Sequence, residues 1–287
     1  MKGFINKFRH AYIWKRIFYE RLTEPFHLNL ISFFVWLFGS YRMKSDYDLI
    51  LRSQHAYALF KAADLAKSEK KESVTVIEFG VATGAGLFNI QEIAKNVTKD
   101  TGIKFDIYGF DSGEGMPPPV SYKDHPELYQ EGDFPMDFEK LQKSLDSNTK
   151  LIIGNIRETL SEFFSKDFSS SPIAFLSIDV DYYSSTVESL KILEMQSDQY
   201  LSRVIIYLDD LQDQSHNSWC GELAAVNEFT ENHEQRKIER HTFLRSYRIF
   251  KNARWIDHIF FAHILDHPKR NNLKSNKSKV VLDNPHI

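Results

Sequence analysis

Val74-Thr-Val-Ile-Glu-Phe-Gly-Val-Ala-Thr-Gly-Ala-Gly86 decides the fold. A β-branched run that ends in glycines reads as a strand entering a tight turn, and residues 87–97 continue with apolar side chains at helical intervals. Strand, glycine turn and helix together open a βαβ unit. The alternation repeats on both sides of this stretch. A helix is predicted over residues 47–66, and further strands over 105–110 (ending at Asp111), 150–153, 173–178 and 203–208. Helices are predicted between and after them, at 138–145, 159–164, 185–195 and 222–231. This order predicts an α/β fold with a parallel sheet covered by helices on both faces. Residues 237–243 and 245–250 are expected to pair as a closing hairpin. The segment 112–137 carries Pro117, Pro118, Pro119, Pro126 and Pro135 and reads as a long functional loop.

Composition narrows the function classes. With 14% aromatic residues and a net charge of −3, the 287-residue chain is far from a disordered composition. A balance of 36 basic against 39 acidic residues argues against a dedicated nucleic-acid binder. The single cysteine, Cys220, can form neither an intrachain disulfide nor a thiolate metal site. The 11 histidines show no H-E-x-x-H spacing, which argues against a zinc protease. The chain reads as cytoplasmic.

Residues 1–45 form a basic, aromatic-rich arm, expected to be helical. Lys2, Lys7, Arg9, Lys15, Arg16 and Arg21 alternate with Phe4, Phe8, Tyr12, Trp14, Phe18 and Tyr19. The apolar stretch 28–38 is well short of the roughly 20 residues that span a bilayer. Such an arm lies on the inner face of an anionic membrane, or packs on the domain, covers the site or forms a homo-oligomer contact. Residues 46–266 are read as one domain and 267–287 as a polar, flexible tail.

In an open α/β sheet, ligands bind at the carboxyl ends of the strands. Acids and glycines dominate there, and cationic phosphate binders are absent. The turn Glu78 to Gly86 matches neither G-x-G-x-x-G nor a P-loop, since its glycines fall at 80, 84 and 86 and no lysine follows. Asp111 at the end of the second strand can accept the hydroxyls of a ribose, or cap a turn. Asp179 and Asp181 stand two apart at the end of the fourth strand, and Asp209 and Asp210 end the fifth. Carboxylates converging at neighbouring strand ends repel unless a hard divalent cation sits among them; the alternative is that each caps the following helix. His216, Trp219 and Cys220 follow closely, and either line an acceptor pocket or pack as a loop on the domain.

These residues carry a resemblance. Val76-Ile-Glu-Phe-Gly-Val-Ala-Thr-Gly84, Gly109-Phe-Asp-Ser-Gly-Glu-Gly-Met-Pro117, Phe175-Leu-Ser-Ile-Asp-Val-Asp-Tyr-Tyr-Ser-Ser-Thr186 and Ile206-Tyr-Leu-Asp-Asp210 occur in an order that resembles class I S-adenosylmethionine-dependent methyltransferases. Within these, the chain is similar to the macrocin O-methyltransferase type, metal-dependent sugar O-methyltransferases of antibiotic biosynthesis. The likeness covers residues 74–230. It implies a Rossmann-like, mostly parallel seven-stranded sheet with an N-terminal helical extension. It implies that Glu78, Gly80, Val81, Ala82, Thr83 and Gly84 contact S-adenosylmethionine, with Asp111 and Ser112 at the ribose, Asn155 after the third strand, and Asp179. It implies Mg²⁺ on Asp179, Asp209 and Asp210, and Asp181 as general base toward a hydroxyl of a sugar, glycosylated natural product or polysaccharide. Asn155 stands where an acid is expected, and residues 1–45 and those after 235 have no counterpart, so the acceptor does not transfer. Two other readings compete. Asp179-Val-Asp181 is also the D-x-D with which metal-dependent glycosyltransferases bind a nucleotide sugar, though the glycine turn and Asp111 then have no role. A non-catalytic membrane-associated module would use the basic arm alone.

Overall fold

The computed structural model describes residues 16–168, 170–211, 216–270 and 281–283. Of the basic arm, Lys2, Phe4, Lys7, Phe8, Arg9, Tyr12, Trp14 and Lys15 lie outside the described residues, as do 271–280 and 284–287 of the tail.

Strand β1 (Ser73–Phe79) is buried from Val74 to Phe79. Val74 and Val76 join one core and Ile77 and Phe79 the other, so both faces are covered and the strand reads as a nearly continuous apolar run. It pairs in parallel with β2 (Lys104–Asp111) on one side and β4 (Ile173–Ile178) on the other. β3 (Thr149–Ile153) continues beyond β2, and β5 (Tyr200–Leu208) beyond β4, again in parallel. The seven-stranded sheet runs β3-β2-β1-β4-β5-β7-β6. In it β7 (Ile259–Ile264) is antiparallel to both β5 and β6 (Arg236–Arg240). The fold is therefore α/β and mostly parallel, as expected.

The expected hairpin of 237–243 with 245–250 does not form. The partner of β6 is β7, an apolar run that can fill both cores between β5 and β6. The segment 245–250 turns away instead, because Arg248 is buried as a clasp. Its guanidinium donates to the Ser45 carbonyl at 2.8 Å, the Asp46 carbonyl at 3.0 Å and Asp48 Oδ1 at 2.7 Å.

Nine α-helices stand among the described residues: α1 (Phe26–Phe38), α2 (Tyr41–Asp46), α3 (Ser53–Ser68), α4 (Ala85–Thr101), α5 (Phe138–Gln142), α6 (Ile156–Glu162), α7 (Tyr183–Leu190), α8 (Gly221–Asn232) and α9 (Leu244–Tyr247). α3 and α4 cover one face, with Trp255 beside them; α6, α7 and α8 cover the other. α4 shows why its sequence folds this way. Leu87, Ile90, Ile93, Ala94 and Val97 make one buried stripe, and left-handed glycines bound the helix, Gly84 before it and Gly102 after it. Chain order reverses between β1 and β4, and that switch point opens the crevice in which such sheets bind ligands.

Candidate active site

A cleft of about 1130 Å³ lies at the carboxyl ends of β1, β2, β4 and β5. Glu78, Gly80, Val81, Ala82, Thr83, Asp111, Ser112, Asn155, Asp179, Asp181, Asp209 and Asp210 all line it, while Gly84 does not. A Cβ on Gly84 would lie 2.1 Å from Leu141 Cδ2, so this glycine serves helix packing behind the cleft. Gly80 is required by close approach: at φ +83° a Cβ there would meet the Asp179 carbonyl oxygen at 1.7 Å. The ends of β1 and β4 can touch only because this residue is glycine.

The β1–β2 half of the cleft is held by Asp111. One carboxylate oxygen accepts the backbone N–H groups of Val81 and Ala82, both at 2.8 Å, and the other accepts Gly113 N–H at 2.7 Å. These bonds hold Ala82 in its left-handed conformation (φ 44°) and fix the glycine turn. Asp111 is thus a turn organiser, the second of its two expected uses, and it faces the cleft while doing so. Ser112 has a similar local task, donating to the Gly115 carbonyl at 2.6 Å and accepting Glu114 N–H at 3.2 Å. Asn155 caps α6, its side-chain oxygen accepting Arg157 N–H at 3.0 Å.

The β4–β5 half is a concentration of acid. Asp179, Asp209 and Asp210 each bring a carboxylate oxygen within 4.8 Å of the others. Burial, with Asp209 and Asp181 beside it, pushes Asp179 well above the usual carboxylate range. Burial first, then the charges of Asp181, Asp179 and Asp209, pushes Asp210 up to about 10. Asp181 is raised mainly by burial, opposed by hydrogen bonds from Asp210 and Tyr129. Burial and its acidic neighbours thus favour the protonated form of Asp210, with Asp181 as its hydrogen-bond partner. Beneath them Glu78 is buried and raised well above its ordinary range, first by burial and then by Asp179.

The capping alternative for Asp181 does not hold. α7 takes its cap from the proline-rich loop, where the fully buried Asp124 accepts Ser184 N–H at 2.8 Å. The same carboxylate accepts Val120 N–H at 2.8 Å and Ser121 N–H at 3.2 Å, which ties the loop over the cleft. Asp181 itself sits at φ 57°, a strained conformation for a residue that is not glycine. Its carboxylate meets Asp210 and the Tyr129 hydroxyl.

Sequence reasoning missed several contributors. Glu222, buried in the first turn of α8, accepts Asp210 N–H at 3.2 Å and is itself raised well above its ordinary range, first by burial. Tyr207 donates its hydroxyl to Asp209. Tyr129 comes from the proline-rich loop, and Arg52, left-handed at φ 55°, lines the cleft ahead of α3. Only Tyr207 had a usable signal, standing two residues before Asp209 and so on the same side of its strand. His216, Trp219 and Cys220 do not line the cleft. Trp219 is exposed, and the His216 ring lies 5.1 Å from that of His125 in a neighbouring loop, from which its charge acts on Asp181.

The donor set fits a hard divalent cation. Three clustered carboxylates supply oxygen ligands, and Asp210 Oδ2 is buried without a hydrogen-bond partner among the described residues.

No protein-family model matches the chain, and no curated protein is similar to it in sequence. Among solved structures, calicheamicin methyltransferase CalS11 superposes with a TM-score of 0.50 at 16% identity, covering 83% of this chain and 91% of that one. The chain shares the fold of that protein. The apo structure of CalS11, described as a TDP-rhamnose 3'-O-methyltransferase, gives 0.42 at 17% identity over 75% and 81% of the two chains. The plantazolicin methyltransferase BpumL, solved with S-adenosylhomocysteine and a desmethylplantazolicin analogue, gives 0.32 at 11% over 77% and 84%.

Proposed function

We propose that this chain is an S-adenosylmethionine-dependent O-methyltransferase of the macrocin O-methyltransferase type. Its acceptor is a hydroxyl of a sugar, glycosylated natural product or polysaccharide, and Asp179, Asp209 and Asp210 hold Mg²⁺. The observation that carries the reading is the placement of a strained, uncapped Asp181 beside the three-carboxylate cluster, across the switch point from the Asp111-held glycine turn. The likeness of fold to CalS11 supports it.

S-adenosylmethionine, when bound, supplies an electrophilic methyl group, and a divalent ion supplies positive charge that lowers the pKa of a nearby hydroxyl. The rest is the work of this chain. The turn Gly80 to Thr83, fixed by Asp111, presents backbone to the amino-acid end of the cofactor, and Asp111 Oδ1 retains acceptor capacity for a ribose hydroxyl. Met116, Pro117, Val120 and Tyr129 of the proline-rich loop line the cleft and exclude water beside the reacting groups. Asp181 takes the proton of the acceptor hydroxyl as its oxygen gains the methyl group, a contribution of about 10²–10⁴ in rate for general-base catalysis. Tyr129 orients that carboxylate.

Calorimetric titration with S-adenosylhomocysteine, with and without Mg²⁺, tests the reading without knowledge of the acceptor. Binding is expected, and Asp111→Ala is expected to abolish it by releasing the turn. Binding of a nucleotide sugar with Mn²⁺ but not of S-adenosylhomocysteine would replace this reading by the glycosyltransferase one.

A further inference from the structure

α1 exposes an apolar face. In a helix on a soluble domain the polar residues face water and the apolar residues face the core. Here the side turned to the protein is narrow and half polar: it carries buried Ser32 and Val35 and half-buried Leu28 and Asn29. Arg21 clamps that side: it donates to Ser32 Oγ at 3.4 Å, to the Tyr47 carbonyl at 2.6 Å and to the Asp48 carbonyl at 2.9 Å, and it lies over the Phe250 ring at 3.7 Å. Asn29 Nδ2 donates back to the Arg21 carbonyl at 2.9 Å. The side turned away is apolar. Phe26, Phe33, Phe34, Trp36, Leu37 and Phe38 are between 45% and 83% exposed. Phe-His-Leu-Asn-Leu-Ile-Ser-Phe-Phe-Val-Trp-Leu-Phe contains no acidic or basic residue apart from His27. A continuous aromatic face of this kind marks an interaction surface.

We propose that α1 is an in-plane anchor by which the enzyme sits on an anionic phospholipid bilayer. Three observations on this chain choose that occupant. The helix has 13 residues, or roughly 20 Å at 1.5 Å per residue, too short to cross a bilayer but long enough to lie in its interface. Among the described residues, no helix is long and apolar enough to cross a membrane. Its exposed side is rich in Phe and Trp, which favour the headgroup boundary. Lastly, the preceding sequence is one-signed: residues 1–17 carry Lys2, Lys7, Arg9, Lys15 and Arg16 and no acid, the first acidic residue being Glu20. Anionic lipid attracts a segment with five such charges that precedes an apolar helix in the sequence. The bound domain takes the place of the polar face that an isolated interfacial helix needs.

The test is flotation of the full chain with vesicles of phosphatidylcholine alone and of phosphatidylcholine mixed with phosphatidylglycerol. The variant Phe33→Ser/Phe34→Ser/Leu37→Ser changes exposed positions remote from the cleft. The full chain is expected to float with the anionic vesicles, less with the neutral ones, and less still as salt is raised. The triple variant is expected to lose binding by at least about tenfold, since three exposed apolar side chains no longer enter the interface. It should keep the thermal midpoint and S-adenosylhomocysteine binding of the parent, so failure of the anchor and failure of the methyltransferase reading are separable. Absence of flotation on anionic vesicles, or equal flotation on both kinds, overturns the proposal. A dimer in solution that the triple variant converts to monomer, without vesicle binding, would assign the face to a second copy instead.

Discussion

The two halves of the cleft are built on opposite principles. At the β1–β2 end one carboxylate, Asp111, receives three backbone N–H groups, and the turn it organises is complete in the protein alone. At the β4–β5 end carboxylates crowd together, burial and acidic neighbours push Asp210 up to about 10, and Asp210 Oδ2 lies buried without a partner among the described residues. One half is preorganised by hydrogen bonds. The other is held in a state that only protons or a cation can neutralise. Asp181 stands between them, strained and shared.

The largest expected effect separates the halves by function. Asp181→Asn should bind S-adenosylhomocysteine as the parent does, yet lose about 10²–10⁴ in turnover once an acceptor is in hand. Unchanged turnover would remove Asp181 as the base. Next, Asp111→Ala removes the acceptor of three N–H groups and should cost about 1–3 kcal/mol of stability as well as the cofactor. Retention of full cofactor affinity would show that the turn holds its shape without Asp111.

The acidic half answers differently. Asp210→Asn removes a carboxyl group that the protein must keep protonated, so the metal-free protein should gain about 1 kcal/mol, or ~2–4 °C in thermal midpoint, at neutral pH. A loss of stability of that size would mean that Asp210 is already satisfied within the fold.

The halves also differ from the rest of the core in pH response. Glu78, Asp179, Asp210 and Glu222 all have folded values above their ordinary ones. Their protons are held by the folded chain and released by the unfolded one, so their stabilising contribution is complete below the ordinary carboxylate values and is lost as pH rises, for Asp210 through about 10. His55 runs the other way. Burial, aided by Arg52, depresses it to about 3 from 6.5, so its contribution is intact above 6.5 and declines as pH falls toward 3. Metal-free thermal midpoints should therefore peak in mildly acidic solution and decline on the alkaline side. A midpoint that climbs steadily from neutral to alkaline pH would contradict the raised values.

What was legible in the sequence follows the same division. The glycine turn, Asp111, the D-x-D pair and Asp209-Asp210 each lie within a residue or two of a strand end, where the α/β rule directs attention. Tyr129 and Arg52 reach the cleft from a proline-rich loop and a left-handed residue, Glu222 and Asp124 brace it from a helix start and the same loop, and no local pattern links such positions to the strand they serve. The last strands show a related failure. β6 was found, but its partner lies beyond a polar clasp around Arg248, and local hairpin reasoning cannot see across it. The exposed apolar face of α1 was likewise hidden: its apolar run was plain, but which side faced the protein depended on Arg21.

The most direct test of the contrast is the thermal midpoint of the parent protein and of Asp179→Asn/Asp210→Asn, with and without Mg²⁺, at acidic and alkaline pH. The account predicts that Mg²⁺ stabilises the parent, by more at alkaline than at acidic pH because the ion competes with protons for the same oxygens, and leaves the variant unmoved. A parent indifferent to Mg²⁺ at both pH values would contradict it, and would leave the acidic half as a proton-sharing cluster with no cation to complete it.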